Sequence, residues 1–116
     1  MASPARISPH FSRNRIAIVV MKPAVSPALC PFFAKCDGVW TVDVGTGIVE
    51  FQENTQRTSA ALCDLILAIG PGRLICGFIG ENEKRRLTAA GIDIRLGSCA
   101  CPLDDLVTGF EKLVAA

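Results

Sequence analysis

The sequence predicts a single α/β domain in which a mixed sheet, partly parallel, carries helices on its faces. Three observations predict it. Apolar runs of strand length alternate with amphipathic runs of helix length along most of the chain. Two period-two segments flank Gly45-Thr46-Gly47, a hairpin signature. At 116 residues the chain is long enough to bury one core and too short for two.

Taken in order, residues 1–14 read as a flexible tail and 15–116 as the domain. Residues 15–21 (RIAIVVM) form a first strand without alternation, the pattern of a strand buried on both faces. Residues 22–35 hold three prolines and the Phe32-Phe33 pair and read as a long loop. Residues 39–44 and 48–53 are the hairpin strands, with Trp40 and Phe51 placed to pair across them. A helix over 57–69 presents Leu62, Leu65, Ile66 and Ile69 on one face and stops at Gly70-Pro71-Gly72. Strand 73–78 follows, then helix 81–90 with acids first, bases later and Gly91 as its stop. Strand 92–96 leads to a last helix over 102–114. That helix has a proline and two aspartates in its first turn, and turns Leu103, Leu106, Val107, Phe110 and Leu113 inward.

Composition narrows the function classes. Half the residues are apolar and the net charge is +1, the profile of an ordinary globular chain with no polyanionic partner. Basic residues are scattered, and Lys84-Arg85-Arg86 alternates with Glu81 and Glu83 as a solvated helix face, so no nucleic acid is expected. No apolar run reaches the roughly 20 residues of a membrane span. The first residues lack the apolar stretch of a signal peptide, and a cytoplasmic location is expected. Reducing conditions there would keep the six cysteines from forming stable disulfides, leaving metal binding, redox chemistry or packing. His10 is the only histidine, which argues against a Cys/His nucleophile pair or a His-rich metal site.

Three stretches carry a family resemblance: RIAIVV at 15–20, FFAKCDGVWTVDVGTGIVEFQEN at 32–54 and RLICGFIGENEKRRLTAAGIDIRLG at 73–97, the last with Gly77, Gly80 and the Ala89-Ala90-Gly91-Ile92 corner. With them the chain resembles the dinitrogenase iron-molybdenum cofactor biosynthesis family, the NifX-like nitrogenase accessory domains of nitrogen fixation and their relatives. The resemblance implies a three-layer ribonuclease H-like fold: a five-stranded mixed sheet of order 3-2-1-4-5, strand 2 antiparallel, with three helices. It also implies a non-enzymatic domain that carries an iron-sulfur or iron-molybdenum type cluster, or its precursor, to or from a partner protein. A nuclease of that fold needs a carboxylate on its first strand, and RIAIVV has none. The chain departs from the family at 30–36 (CPFFAKC) and 97–101 (GSCAC), and both departures add sulfur.

In an open sheet of that order, ligands sit outside the carboxyl ends of the parallel strands where the winding reverses, here between the first and fourth strands. Cys30 and Cys36 lie in the loop after the first strand, Cys76 ends the fourth, and Cys99 and Cys101 follow the fifth. These five are the candidate ligands. Gly97, Ser98, Gly77 and Gly80 are the candidate backbone contacts to an anionic cluster. Cys101 is expected at the start of the last helix, where the dipole favours a thiolate, the form that binds zinc, copper(I) or iron-sulfur species. The spacings match neither a zinc ribbon nor a ferredoxin run. Cys63 sits by the buried helix face and reads as core, and Cys76 has a plain packing reading beside the functional one. Two alternatives stand next to the carrier: a thiol redox or zinc-stabilised domain, and an interaction module without a metal site. A monomer or weak homodimer is expected.

Overall fold

The computed structural model describes residues 12–21 and 27–116. Most of the expected tail, residues 1–11, and residues 22–26 of the expected loop lie outside the described residues. The described chain is a mixed α/β unit: β1 (Ser12–Met21), β2 (Ala28–Leu29), β3 (Gly38–Asp43), β4 (Val49–Glu53), α1 (Ser59–Ile69), β5 (Pro71–Cys76), α2 (Glu81–Ala89), β6 (Asp93–Leu96), α3 (Leu103–Thr108) and β7 (Val114–Ala115).

The sheet has seven strands rather than the expected five. Its order is β4-β3-β1-β5-β6-β7, with β2 also pairing β1. β3 runs antiparallel to β1, whereas β5 runs parallel to β1 and β6 parallel to β5. The two added strands are short and pair antiparallel, β2 to β1 and β7 to β6. Two-residue strands carry no periodicity, so only tertiary pairing defines them.

β1 is the centre of the core, with Ile16, Ala17, Ile18, Val19 and Val20 wholly inaccessible, as its unbroken apolar run requires. Register sorts the faces. Arg15, Ala17, Thr41, Glu50 and Leu74 share one face, against which α1 sets Leu65 and Ile69; Arg73 and Arg95 lie on the other, where both stack on the Phe110 ring. Trp40 and Phe51 are direct cross-strand partners, as expected.

Helix α1 starts two residues later than the pattern suggests because Thr58 acts as N-cap, accepting from the Ala61 amide at 3.1 Å. The last helix is the larger correction. Instead of running over 102–114, it stops at Thr108, and a 3-10 turn (Phe110–Lys112) then feeds β7. The Arg95 guanidinium donates to the carbonyls of Phe110, Glu111 and Leu113 at 3.1–3.3 Å. Those carbonyls are therefore satisfied without a continuing helix. The helical spacing of Leu103, Leu106 and Phe110 survives the break: all three are buried.

Candidate functional site

The expected crevice lies between the carboxyl ends of β1 and β5, and the chain itself fills it. Beyond Ile18, where β5 leaves β1, the segment after β1 takes over: Leu29 pairs with Val20, and the Cys30 amide donates to the Val19 carbonyl at 2.9 Å. The same segment then docks on the end of β5. The Phe78 amide donates to the Pro31 carbonyl (2.7 Å), the Phe33 amide donates to the Phe78 carbonyl (3.0 Å), and Phe32 bridges Phe78 in parallel. Gly77 permits this approach, since a Cβ there would stand 2.6 Å from the Pro31 oxygen and 2.8 Å from its Cα. Phe32 and Phe78 are left 55 % and 71 % exposed, side by side at the carboxyl end of the central strands.

The groove that remains open is one position further along, between the ends of β5 and β6. It encloses about 370 Å³ and is lined by Gly77, Phe78, Ile79, Lys84, Leu96 and Gly97 among others. Gly97 is pinched onto the core, where a Cβ would meet Ile75 at 2.9 Å and Leu106 at 3.0 Å. Its amide continues the sheet ladder to the Cys76 carbonyl at 2.9 Å, and so is already committed rather than offered to an anion. Ser98 shapes the turn that follows, its hydroxyl accepting from the Ala100 amide and its carbonyl from the Cys101 amide, both at 3.1 Å. Gly80 caps α2 without a side-chain bond, and the Glu83 carboxylate lies against it. An incoming anion would meet that negative charge.

The candidate cysteines separate into two kinds. Cys99 and Cys101 are exposed on the turn after β6. Cys101 does not start the last helix, because Pro102 is its N-cap and α3 has six residues, so the dipole contribution expected for this thiol is small. Cys30, Cys36 and Cys76 are buried. The Cys30 thiol donates to the Phe32 carbonyl at 3.1 Å, and burial, its largest influence, raises its pKa. Burial, with the nearby Cys30 next, pushes Cys36 up to about 11 despite an Asn54 amide 3.7 Å from its sulfur. Burial alone pushes Cys76 up to about 12. At neutral pH these three are thiols, not thiolates. Cys63 is buried in α1, as expected of a core residue.

Cys30 and Cys36 are thus neighbours, and Cys99 and Cys101 share a turn, but the elements do not pool their ligands. Among the described residues, no group of three or more His, Cys, Asp or Glu side chains is placed to hold a metal ion. The docking of 31–33 onto β5 is not legible in the sequence, because nothing local links its two signals, Gly77 and the Phe32-Phe33 run.

Against solved structures, the apo form of the orange protein from Desulfovibrio gigas aligns at a TM-score of 0.81 and 22 % identity, over 91 % of this chain and 95 % of that one. The fold resembles that of the orange protein. A NifB-like protein of the DUF35 family from Thermotoga aligns at a TM-score of 0.70 and 23 % identity, over 85 % and 88 % of the two chains. No family model and no curated protein matches the sequence. At such identities the likeness establishes the fold. The nitrogenase-accessory resemblance is met loosely, in that a NifB-like protein shares the orange protein's architecture with this chain. No helix among the described residues is long and apolar enough to cross a membrane.

Proposed function

We propose that the chain is a non-enzymatic carrier for a small metallocluster of iron-sulfur or iron-molybdenum type, or its precursor, which it exchanges with a donor or acceptor protein. The observation that carries this reading is the exposed Cys99 and Cys101 pair, set on the turn that leaves the last parallel strand just after Leu96 and Gly97, which line the open β5–β6 groove. Two soft sulfur ligands would give such a cluster a two-point attachment and leave its remaining terminal positions to ligands of the donor or acceptor protein, which suits cargo that must leave again. An orange protein solved in its apo form, and a NifB-like protein, are the fold neighbours that support a cofactor-handling role. The helix layers on both sheet faces support the three-layer ribonuclease H-like assignment within the same proposal.

Cys30, Cys36 and Cys76 serve packing in this arrangement, and Cys30 and Cys36 would join as ligands only after the 30–36 segment lifts from β5. The zinc-stabilised alternative is less well supported, because structural zinc takes four protein ligands and no group of even three converges among the described residues. The test is anaerobic reconstitution with iron and sulfide. Thiolate-to-metal charge-transfer absorption is expected, and it should be lost in a Cys99→Ser/Cys101→Ser variant. Absence of the absorption, or its survival unchanged in that variant, overturns the reading.

A further inference from the structure

Phe32 and Phe78 are the exposed aromatic side chains among the described residues; Phe33 and Phe110 are buried, and Trp40 and Phe51 are half-buried. Adjoining exposed rings on a chain that shelters its others mark an interaction surface. Phe78 also lines two concavities at once. One is the β5–β6 groove of about 370 Å³, lined as well by Lys84. The other, of about 250 Å³, lies between Phe32, Phe78 and the start of α2 and is lined as well by Lys35. Small-molecule sites run from roughly 300 to 1,000 Å³, so two small grooves on either side of one residue suit successive side chains of a protein segment better.

Charge selects the kind of segment. Every arginine from Arg13 onward has a carboxylate or carbonyl partner. Lys35 and Lys84 have neither an ion pair nor a side-chain hydrogen bond among the described residues. The acids that line the same grooves are engaged. Glu81 faces Arg85 at 3.8 Å along α2, and the Glu83 carboxylate lies against Gly80 at the helix start, where the dipole favours it. The unbalanced charge around the two rings is therefore that of the two lysines.

We propose that the Phe32 and Phe78 pair is the docking surface for the donor or acceptor protein, and that it takes a segment of that partner in which carboxylates flank an apolar side chain. The apolar side chain packs on the two rings and the carboxylates reach Lys35 and Lys84, the division between apolar centre and charged rim found in protein interfaces. The partner's role as donor or acceptor rests on the carrier reading above. Parallel β5 and β6 end on the same side, at Cys76 and Leu96, so a protein seated on Phe78 stands at the end of the sheet from which the Cys99 and Cys101 turn leaves.

The test is an NMR titration of the whole chain, without a cluster, with the capped peptide DELFDE; KKLFKK, DESSDE and oligothymidylate are the controls. Saturable shifts at Phe32, Lys35, Phe78 and Lys84 are expected, with a Kd of about 0.3 mM. Phe78→Ser should weaken binding about tenfold and Lys35→Glu/Lys84→Glu about fivefold. None of these side chains is buried, so the rest of the spectrum should stay in place. Shifts that do not saturate, unchanged affinity in both variants, or an equal response to KKLFKK or DESSDE would each overturn the proposal. A tighter response to oligothymidylate would assign the surface to nucleic acid, and Phe78 shifts that follow chain concentration alone would assign it to a second copy; either overturns it too. Peptide binding without reconstituted absorption removes the carrier reading and leaves the docking surface, whereas reconstitution without peptide binding removes this proposal alone.

Discussion

Replacing Gly77 with alanine tests whether the 31–33 segment is held on β5 by close backbone contact. The new Cβ would meet three Pro31 atoms, O, Cα and C, at 2.6, 2.8 and 2.9 Å, all backbone and so unable to rotate away. If the segment stays, the overpacking costs about 1–3 kcal/mol. If it lifts, the Phe78-to-Pro31 and Phe33-to-Phe78 hydrogen bonds are lost, at about 1 kcal/mol each. Both routes centre on a loss of about 2 kcal/mol, a large part of the roughly 5–15 kcal/mol that holds a domain folded. With a urea slope of about 1–3 kcal/mol/M, the midpoint should fall by about 0.7–2 M. Lifting also uncovers Cys30, which is 1 % exposed, so its labelling by a thiol reagent should quicken relative to Cys63 in α1. A midpoint within about 0.3 M of the parent, with Cys30 still protected, would refute the close-contact reasoning.

Further expectations concern the carboxyl-terminal segment and the buried thiols. Arg95→Ala removes the donor to three carbonyls and the stack on Phe110, 4.8 Å away, and should cost about 2–3 kcal/mol. Hydrogen exchange would show β7 and the Ala116 amide losing protection first. Stability should also fall in alkali. Cys36 and Cys76 keep their protons in the folded state up to about 11 and about 12, against an ordinary 9.0. The unfolded chain releases those protons earlier, so their contribution is complete below about pH 9 and is lost as pH rises toward 11–12. Denaturation curves across that range should slope less steeply for Cys76→Ala, and an equal slope would exclude the thiol as the cause. Finally, a thiol reagent under native conditions should modify Cys99 and Cys101 quickly and leave the four buried cysteines slow. Rapid reaction of all six would contradict the burial described above.

The elements with a long, unambiguous pattern were legible in the sequence. The unbroken apolar run of β1, the period-two hairpin around Gly45-Thr46-Gly47, and the α1 and α2 patterns ended by Gly70 and Gly91 depend on local spacing and backbone conformation. The place of the GSCAC stretch after the last parallel strand was legible too, although not its offset from the helix end. Tertiary structure decided the rest. Whether 28–33 remained a loop or continued the sheet depended on Val19, Val20 and Phe78, residues at least eight positions away in the chain. The last helix stops at Gly109, its C-cap, and Arg95 of the neighbouring strand satisfies the carbonyls beyond it, a contact that leaves no periodic mark. Sequence spacing encodes which face a side chain takes, while its partner across space is set only by how distant segments pack.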